Sequence, residues 1–330
     1  MQWKAAAAIA ALLLWAVQSL AQSAGLEAFR RPATIPFPPS APYNREIATL
    51  GKMLFFDPRL SGGQNISCSS CHNPSFGWET PVPKAIGAAN TPVRRHAPTI
   101  LNAAWITPLF WDGRAGSLEE QAAGPITAPD EMNATFDGIV ARLSAVTDYR
   151  TWFKRLFPGR GIRKETILTA LATYERTIVS GMAGFDRWVD GDADAVPEAA
   201  KRGFALFTGR ANCVSCHSGW MFTDNALHDI GLATSDRGRG GVAPQDPAAN
   251  FRFKTPGLRN IALRAPYMHD GSKPTLRAVI RHYASGGAAA RQADIAGFPV
   301  TEEEISDLIA FLETLTDNET NVPTPILPAN

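Results

Sequence analysis

Cys68-Ser69-Ser70-Cys71-His72 and Cys213-Val214-Ser215-Cys216-His217 decide how this chain is read, and together they use all four of its cysteines. Cys-x-x-Cys followed at once by His is the attachment pattern of a c-type haem. Each pair of thiols forms thioethers with one porphyrin, and the adjoining imidazole becomes an axial ligand of its iron. A redox dithiol does not need the trailing histidine, and zinc would draw both pairs to one metal. The pattern therefore predicts two covalent haems, one on Cys68, Cys71 and His72, the other on Cys213, Cys216 and His217.

The surrounding composition narrows the class. The chain has 330 residues, 45% of them hydrophobic, enough for a sizeable core or two domains of ordinary size. A net charge of +1 with no basic run excludes a nucleic-acid partner. At the start, Lys4 precedes an apolar run from Ala5 to Val17 that is too short to span a bilayer, and Ser19-Leu20-Ala21 fits a cleavage site. Residues 1–21 are thus predicted to be a signal peptide, giving a periplasmic mature protein with no membrane span.

Residues 22–42, with Pro32, Pro36, Pro38, Pro39 and Pro42, read as an extended lead-in. The chain then repeats itself weakly. Gly51-Lys52-Met53-Leu54-Phe55 precedes the first haem motif and Gly203-Phe204-Ala205-Leu206-Phe207 the second, each on a helical pattern. The expected fold is mainly α, with two cytochrome c-type domains over 43–190 and 191–318, each carrying one haem. Ile162 to Val189 reads as mostly helical, with Leu168, Leu171, Ile178 and Val179 on its apolar stripe. Gly191-Asp192-Ala193-Asp194 reads as the linker. Thr301 and Glu304 form a capping box before Ile305, Leu308, Ile309, Leu312 and Leu315, the closing helix. Residues 319–330, with Pro323, Pro325 and Pro328, read as a loose tail.

Further motifs carry a family likeness. Ala97-Pro98-Thr99-Ile100-Leu101-Asn102, Phe110-Trp111-Asp112-Gly113-Arg114, Leu118-Glu119-Glu120-Gln121-Ala122, Thr255-Pro256-Gly257-Leu258-Arg259-Asn260 and Pro266-Tyr267-Met268-His269-Asp270-Gly271 resemble the bacterial di-haem cytochrome c peroxidase and MauG superfamily, from about residue 45 to 315. The resemblance implies that Trp111 lies between the haems and passes electrons or holes, and that Gln121 and Glu131 flank the peroxide-binding first haem. A carboxylate there can move a proton from bound peroxide to the leaving oxygen. It leaves open a calcium ion near the carbonyls of Thr255 and Gly257. His96 stands where the family has Asn, and is a poor ligand for a hard cation.

Two departures divide the superfamily. Peroxidases that need reductive activation carry a distal His in an Ile-Gly-His stretch; this chain has Ile86-Gly87-Ala88, so the first haem is expected to be open, with His96 as the alternative ligand. At the second haem the peroxidases' axial Met is replaced by Tyr283, as in MauG-type proteins, with His282 and Met268 as rivals. A phenolate favours the oxidised metal, a thioether the reduced one. Both changes imply a MauG-like enzyme that uses hydrogen peroxide to form a high-valent di-haem state and oxidises residues, Trp foremost, of a periplasmic protein substrate. The alternatives are a peroxidase fed by a small redox donor and a di-haem electron carrier. MauG's surface Trp before the second haem motif is missing, with Ala211-Asn212 there; Trp220, Trp188 and Trp152 are either substitutes or packing residues.

Overall fold

The computed structural model describes residues 25–317 and 322–329, so the predicted signal peptide lies outside the described residues. Two helix pairs organise the chain. In the first, Arg45–Phe56 packs on Lys164–Arg176; in the second, Glu198–Thr208 packs on Glu302–Glu313. Asn44 starts the Arg45–Phe56 helix, its Oδ1 accepting from the backbone N–H of Glu46 and Ile47 at 2.9 and 3.0 Å. Leu50, Leu54 and Phe55 fall on its buried face. The capping box at Thr301 and Glu304 forms as expected, each side chain bonding the other's backbone N–H.

The glycines of the repeated Gly-x-x-Leu-Phe stretches set how closely each pair packs. A Cβ at Gly51 would run into the Ala170 carbonyl, and one at Gly203 into the Asp307 carbonyl. Each helix therefore lies against its partner's backbone, a contact only glycine permits. Around the pairs stand two separate cores. One holds Leu54, Phe55, Ile126, Tyr149, Phe153 and Leu171. The other holds Phe185, Phe204, Phe207, Phe222, Phe311 and Leu315. Among the described residues the sheet content is one two-residue antiparallel pair, with Leu227 opposite Lys254 and His228 opposite Phe253. The mainly α fold with two cytochrome c-type units is therefore observed.

The structure refines three local readings. The stretch from Ile162 to Val189 is mostly helical as expected, in two helices, Lys164–Arg176 and Gly184–Val189. Asn102 breaks it: its N–H donates to the Ile178 carbonyl at 2.8 Å and its Oδ1 accepts from Ser180 N–H at 3.0 Å, diverting the backbone groups a continuing helix would use. Gly184–Val189, ahead of the expected linker, contributes Phe185 and Trp188 to the second core. The ends of the described chain also cross over. Leu26 and Phe29, in the expected lead-in, are buried in the second core, whereas Val322 packs on the first core and the Pro328 carbonyl accepts from Arg59 Nη2 at 2.9 Å.

Candidate active site

The short helix Cys68–Cys71 brings both cysteines and His72 to the wall of a cavity of about 510 Å³. That volume lies within the usual range for a small-molecule or cofactor site. Phe55, Ile126 and Leu171 from the first core give it apolar walls. His72 Nδ1 lies 3.2 Å from the Trp78 carbonyl oxygen. A carbonyl can only accept, so Nδ1 carries the hydrogen and Nε2 keeps the lone pair a metal takes. Burial lowers the imidazole pKa and keeps it neutral, as ligation requires.

Gln121, Glu131 and Trp111 line this same cavity. Gln121 comes from the helix Leu118–Thr127, begun by Ser117, whose Oγ accepts from Glu120 N–H at 3.1 Å. Glu131 lies just beyond that helix, and its carbonyl accepts from Ala88 N–H at 2.7 Å. The Ile86-Gly87-Ala88 stretch is thus pinned beside Glu131 and presents only a methyl group at Ala88. Burial, then Asp130, raise the Glu131 pKa, opposed by Arg114 and Arg94. His96 also touches the cavity, but its ring is committed elsewhere: Nδ1 lies 3.1 and 3.2 Å from the Val82 and Pro83 carbonyls, and Nε2 lies 3.2 Å from Glu79 Oε2. This rules it out as the first-haem ligand in this arrangement.

The second attachment turn repeats the logic. Asn212 adopts a left-handed conformation ahead of Cys213–Ser215. His217 Nδ1 donates to the Phe222 carbonyl at 2.8 Å, and burial again keeps the ring neutral. Tyr283 comes from the helix Leu276–Ala284, whose cap Thr275 accepts from Ala278 N–H at 3.2 Å. Its ring is half-buried. Burial, then the Cys213 and Cys216 thiols, push its phenol pKa far above the ordinary value. His282 points away, its Nε2 lying 2.8 Å from the Ile230 carbonyl. Met268 takes a left-handed turn (φ 78°) beside His269.

Trp111 sits where the units meet. Its Nε1 donates to the His96 carbonyl at 2.8 Å, its carbonyl accepts from Lys254 N–H at 2.7 Å, and its ring lies 6.4 Å from that of His269. The two carbonyls considered for calcium are engaged: Thr255 accepts from Thr223 Oγ1 at 2.7 Å, and Gly257 from Arg264 Nη1 at 2.8 Å. Trp220 packs edge-on against Trp105, ring centroids 4.9 Å apart, while Trp188 belongs to the second core.

Sequence reading missed four ionisable groups here. Arg264 and Glu79 form a buried ion pair with Nε and Oε1 2.9 Å apart. Lys254 and Glu175 line the cavity, and burial moves each to about 8, the amine downward and the carboxyl upward. A signal existed for Arg264, a lone charge inside Ile261-Ala262-Leu263-Arg264-Ala265, since a charge in an apolar run is buried only when paired.

A cavity that presents a neutral imidazole and a half-buried carboxyl suits reaction at the metal more than simple electron carriage. Together with the second attachment turn, fold and sites define a haem peroxidase-type oxidoreductase with two c-type haems. Comparison with known proteins agrees: the di-haem cytochrome c peroxidase family matches residues 45–194 and the cytochrome c family residues 200–316. The methylamine utilization protein MauG of Methylorubrum extorquens is 49% identical over 305 residues, 91% of this chain and 86% of that protein. The cytochrome c551 peroxidase of Nitrosomonas europaea is 36% identical, covering 96% of this chain and 93% of that one. The crystal structure of a MauG-like protein associated with microbial copper homeostasis superposes with a TM-score of 0.81 at 34% identity, covering 88% and 95% of the two chains. The chain belongs to the di-haem cytochrome c peroxidase and MauG family and is a MauG-like di-haem oxidoreductase. No described helix is long and apolar enough to cross a membrane.

Proposed function

We propose that the protein works in the periplasm, takes two oxidising equivalents from hydrogen peroxide and spends them on side chains, Trp foremost, of a partner protein. The observation that carries this reading is a pairing. Ala88 offers the first haem no ligand, while Tyr283, not a thioether, stands on the helix Leu276–Ala284 at the place of the peroxidases' axial Met. The relative at 49% identity, named for methylamine utilization, supports it. The haems supply the redox chemistry. The chain holds and supplies the groups around them.

His72 binds through Nε2, made more basic by its Nδ1–H bond to Trp78. Glu131 takes the proton from the peroxide oxygen that stays and returns it to the oxygen that leaves as water. Gln121 orients the peroxide by hydrogen bonding. Trp111 passes electrons between the units. Tyr283 and His217 hold the second metal, the phenolate favouring its oxidised form. Two electrons, drawn one at a time from the partner's side chains, together with two protons, take the remaining peroxide oxygen to a second water and complete the balance.

Low-temperature EPR of the fully oxidised holoprotein tests the reading. One high-spin and one low-spin ferric signal are expected. Two low-spin signals would mean the first haem is closed, and would favour a peroxidase that needs reductive activation.

A further inference from the structure

We infer that Arg264 serves as a built-in cation between the two haem units, at the position the family resemblance would give to calcium, and that the protein binds no calcium there. Calcium takes six to eight oxygens in a flexible shell. Here the oxygens are spent on the chain itself. Arg264 donates through Nη1 to the carbonyls of Gly257 and Arg259 at 2.8 and 2.9 Å, and through Nε to Glu79 Oε1 at 2.9 Å. Glu79 is engaged at both oxygens in turn: Thr99 N–H donates to Oε1 at 2.9 Å, and His96 Nε2 lies 3.2 Å from Oε2. The Thr255 carbonyl belongs to Thr223. His96, at the family's Asn position, offers nitrogen, and its ring is already spent.

Arg264 and Glu79 are 3% and 5% exposed, so their charges are poorly screened. A divalent ion beside a buried guanidinium would meet direct repulsion. The pair is also oriented. Glu79 belongs to the first unit and Arg264 to the second, where it holds the carbonyls of Gly257 and Arg259. Arg264 also fixes Glu79, which holds His96, whose carbonyl holds Trp111. It is thus a positioning residue for the bridge between the units.

Metal analysis of the holoprotein, purified without chelator, decides the first half. Calorimetric titration with calcium chloride and EPR before and after chelation complete it. The expected result is no stoichiometric calcium, no binding heat and unchanged haem signals. One calcium per chain, or an EPR spectrum that chelation alters and calcium restores, would overturn the inference. Redox titration decides the second half. In Arg264→Gln the second haem's midpoint potential should fall, because a buried positive charge is lost, whereas Arg264→Lys should hold it near wild type. An unchanged potential in haem-loaded Arg264→Gln would sink the positioning role. If that variant does not fold, the calcium measurements on the natural protein still stand.

Discussion

Glu131 and Glu175 both line the first cavity, and burial raises both carboxyls, but they lead to different predictions. In the proposed mechanism Glu131 acts as a proton acceptor, so its working form is the carboxylate, and the reaction with peroxide should quicken as pH rises through its raised pKa. Glu131→Gln should slow that reaction by about 10²–10⁴-fold in stopped-flow mixing while both haems stay attached. Glu175 bears on stability. Its carboxyl moves from 4.5 to about 8 because burial outweighs the opposing Arg176. The folded protein therefore holds a proton the unfolded chain releases. This contribution is complete below pH 4.5, falls by roughly 1 kcal/mol per pH unit, and is gone once pH passes 8. Glu175→Gln should flatten the decline of the melting temperature across that window. Tyr283→Phe should alter the low-spin EPR signal; an unchanged signal would remove Tyr283 as the ligand. Trp111, Gln121 and Glu131 were singled out through the family resemblance, and the fold brings all three to one cavity. Glu175 was hidden because a carboxyl within a helix gives no sign of which face it lies on.

At the scale of elements, the two Gly-x-x-Leu-Phe stretches were legible as a repeat, but the reason for their glycines was not. Only the structure shows Gly51 against the backbone of Lys164–Arg176 and Gly203 against that of Glu302–Glu313. Gly51→Ala and Gly203→Ala should each force their helices apart and cost about 1–3 kcal/mol, the usual toll of overpacking. The two losses should separate spectroscopically. Gly51 lies on the helix leading into Cys68, so its variant should disturb the high-spin signal; Gly203 precedes Cys213, so its variant should disturb the low-spin one. The break between Lys164–Arg176 and Gly184–Val189 escaped sequence reading for a related reason. The apolar periodicity continues through Ile178, and the interruption comes from Asn102, far away in the chain.

At the scale of the whole molecule, the ends of the described chain are exchanged between units, and no local pattern announces this. A Pro-rich segment reads as a lead-in because composition carries no information about a distant partner. Phe29 nevertheless stacks on Phe222 with centroids 4.9 Å apart and meets Phe185 and Phe204 edge-on. Arg30 pairs with Asp190, and Arg31 Nη1 donates to the Gly181 carbonyl at 2.6 Å, holding the segment in place. The Phe222 carbonyl is the group that receives His217 Nδ1–H. Phe29 therefore supports, at one remove, the orientation of the second haem's imidazole. Phe29→Ala should cost about 3–5 kcal/mol, as for a large ring removed from a core. The low-spin EPR signal should broaden as the Phe222 carbonyl loses its fixed position. The high-spin signal should stay as it was, because Phe29 makes no contribution to the first core. Equal disturbance of both signals would mean that the segment serves the molecule as a whole and not the second unit it is packed in.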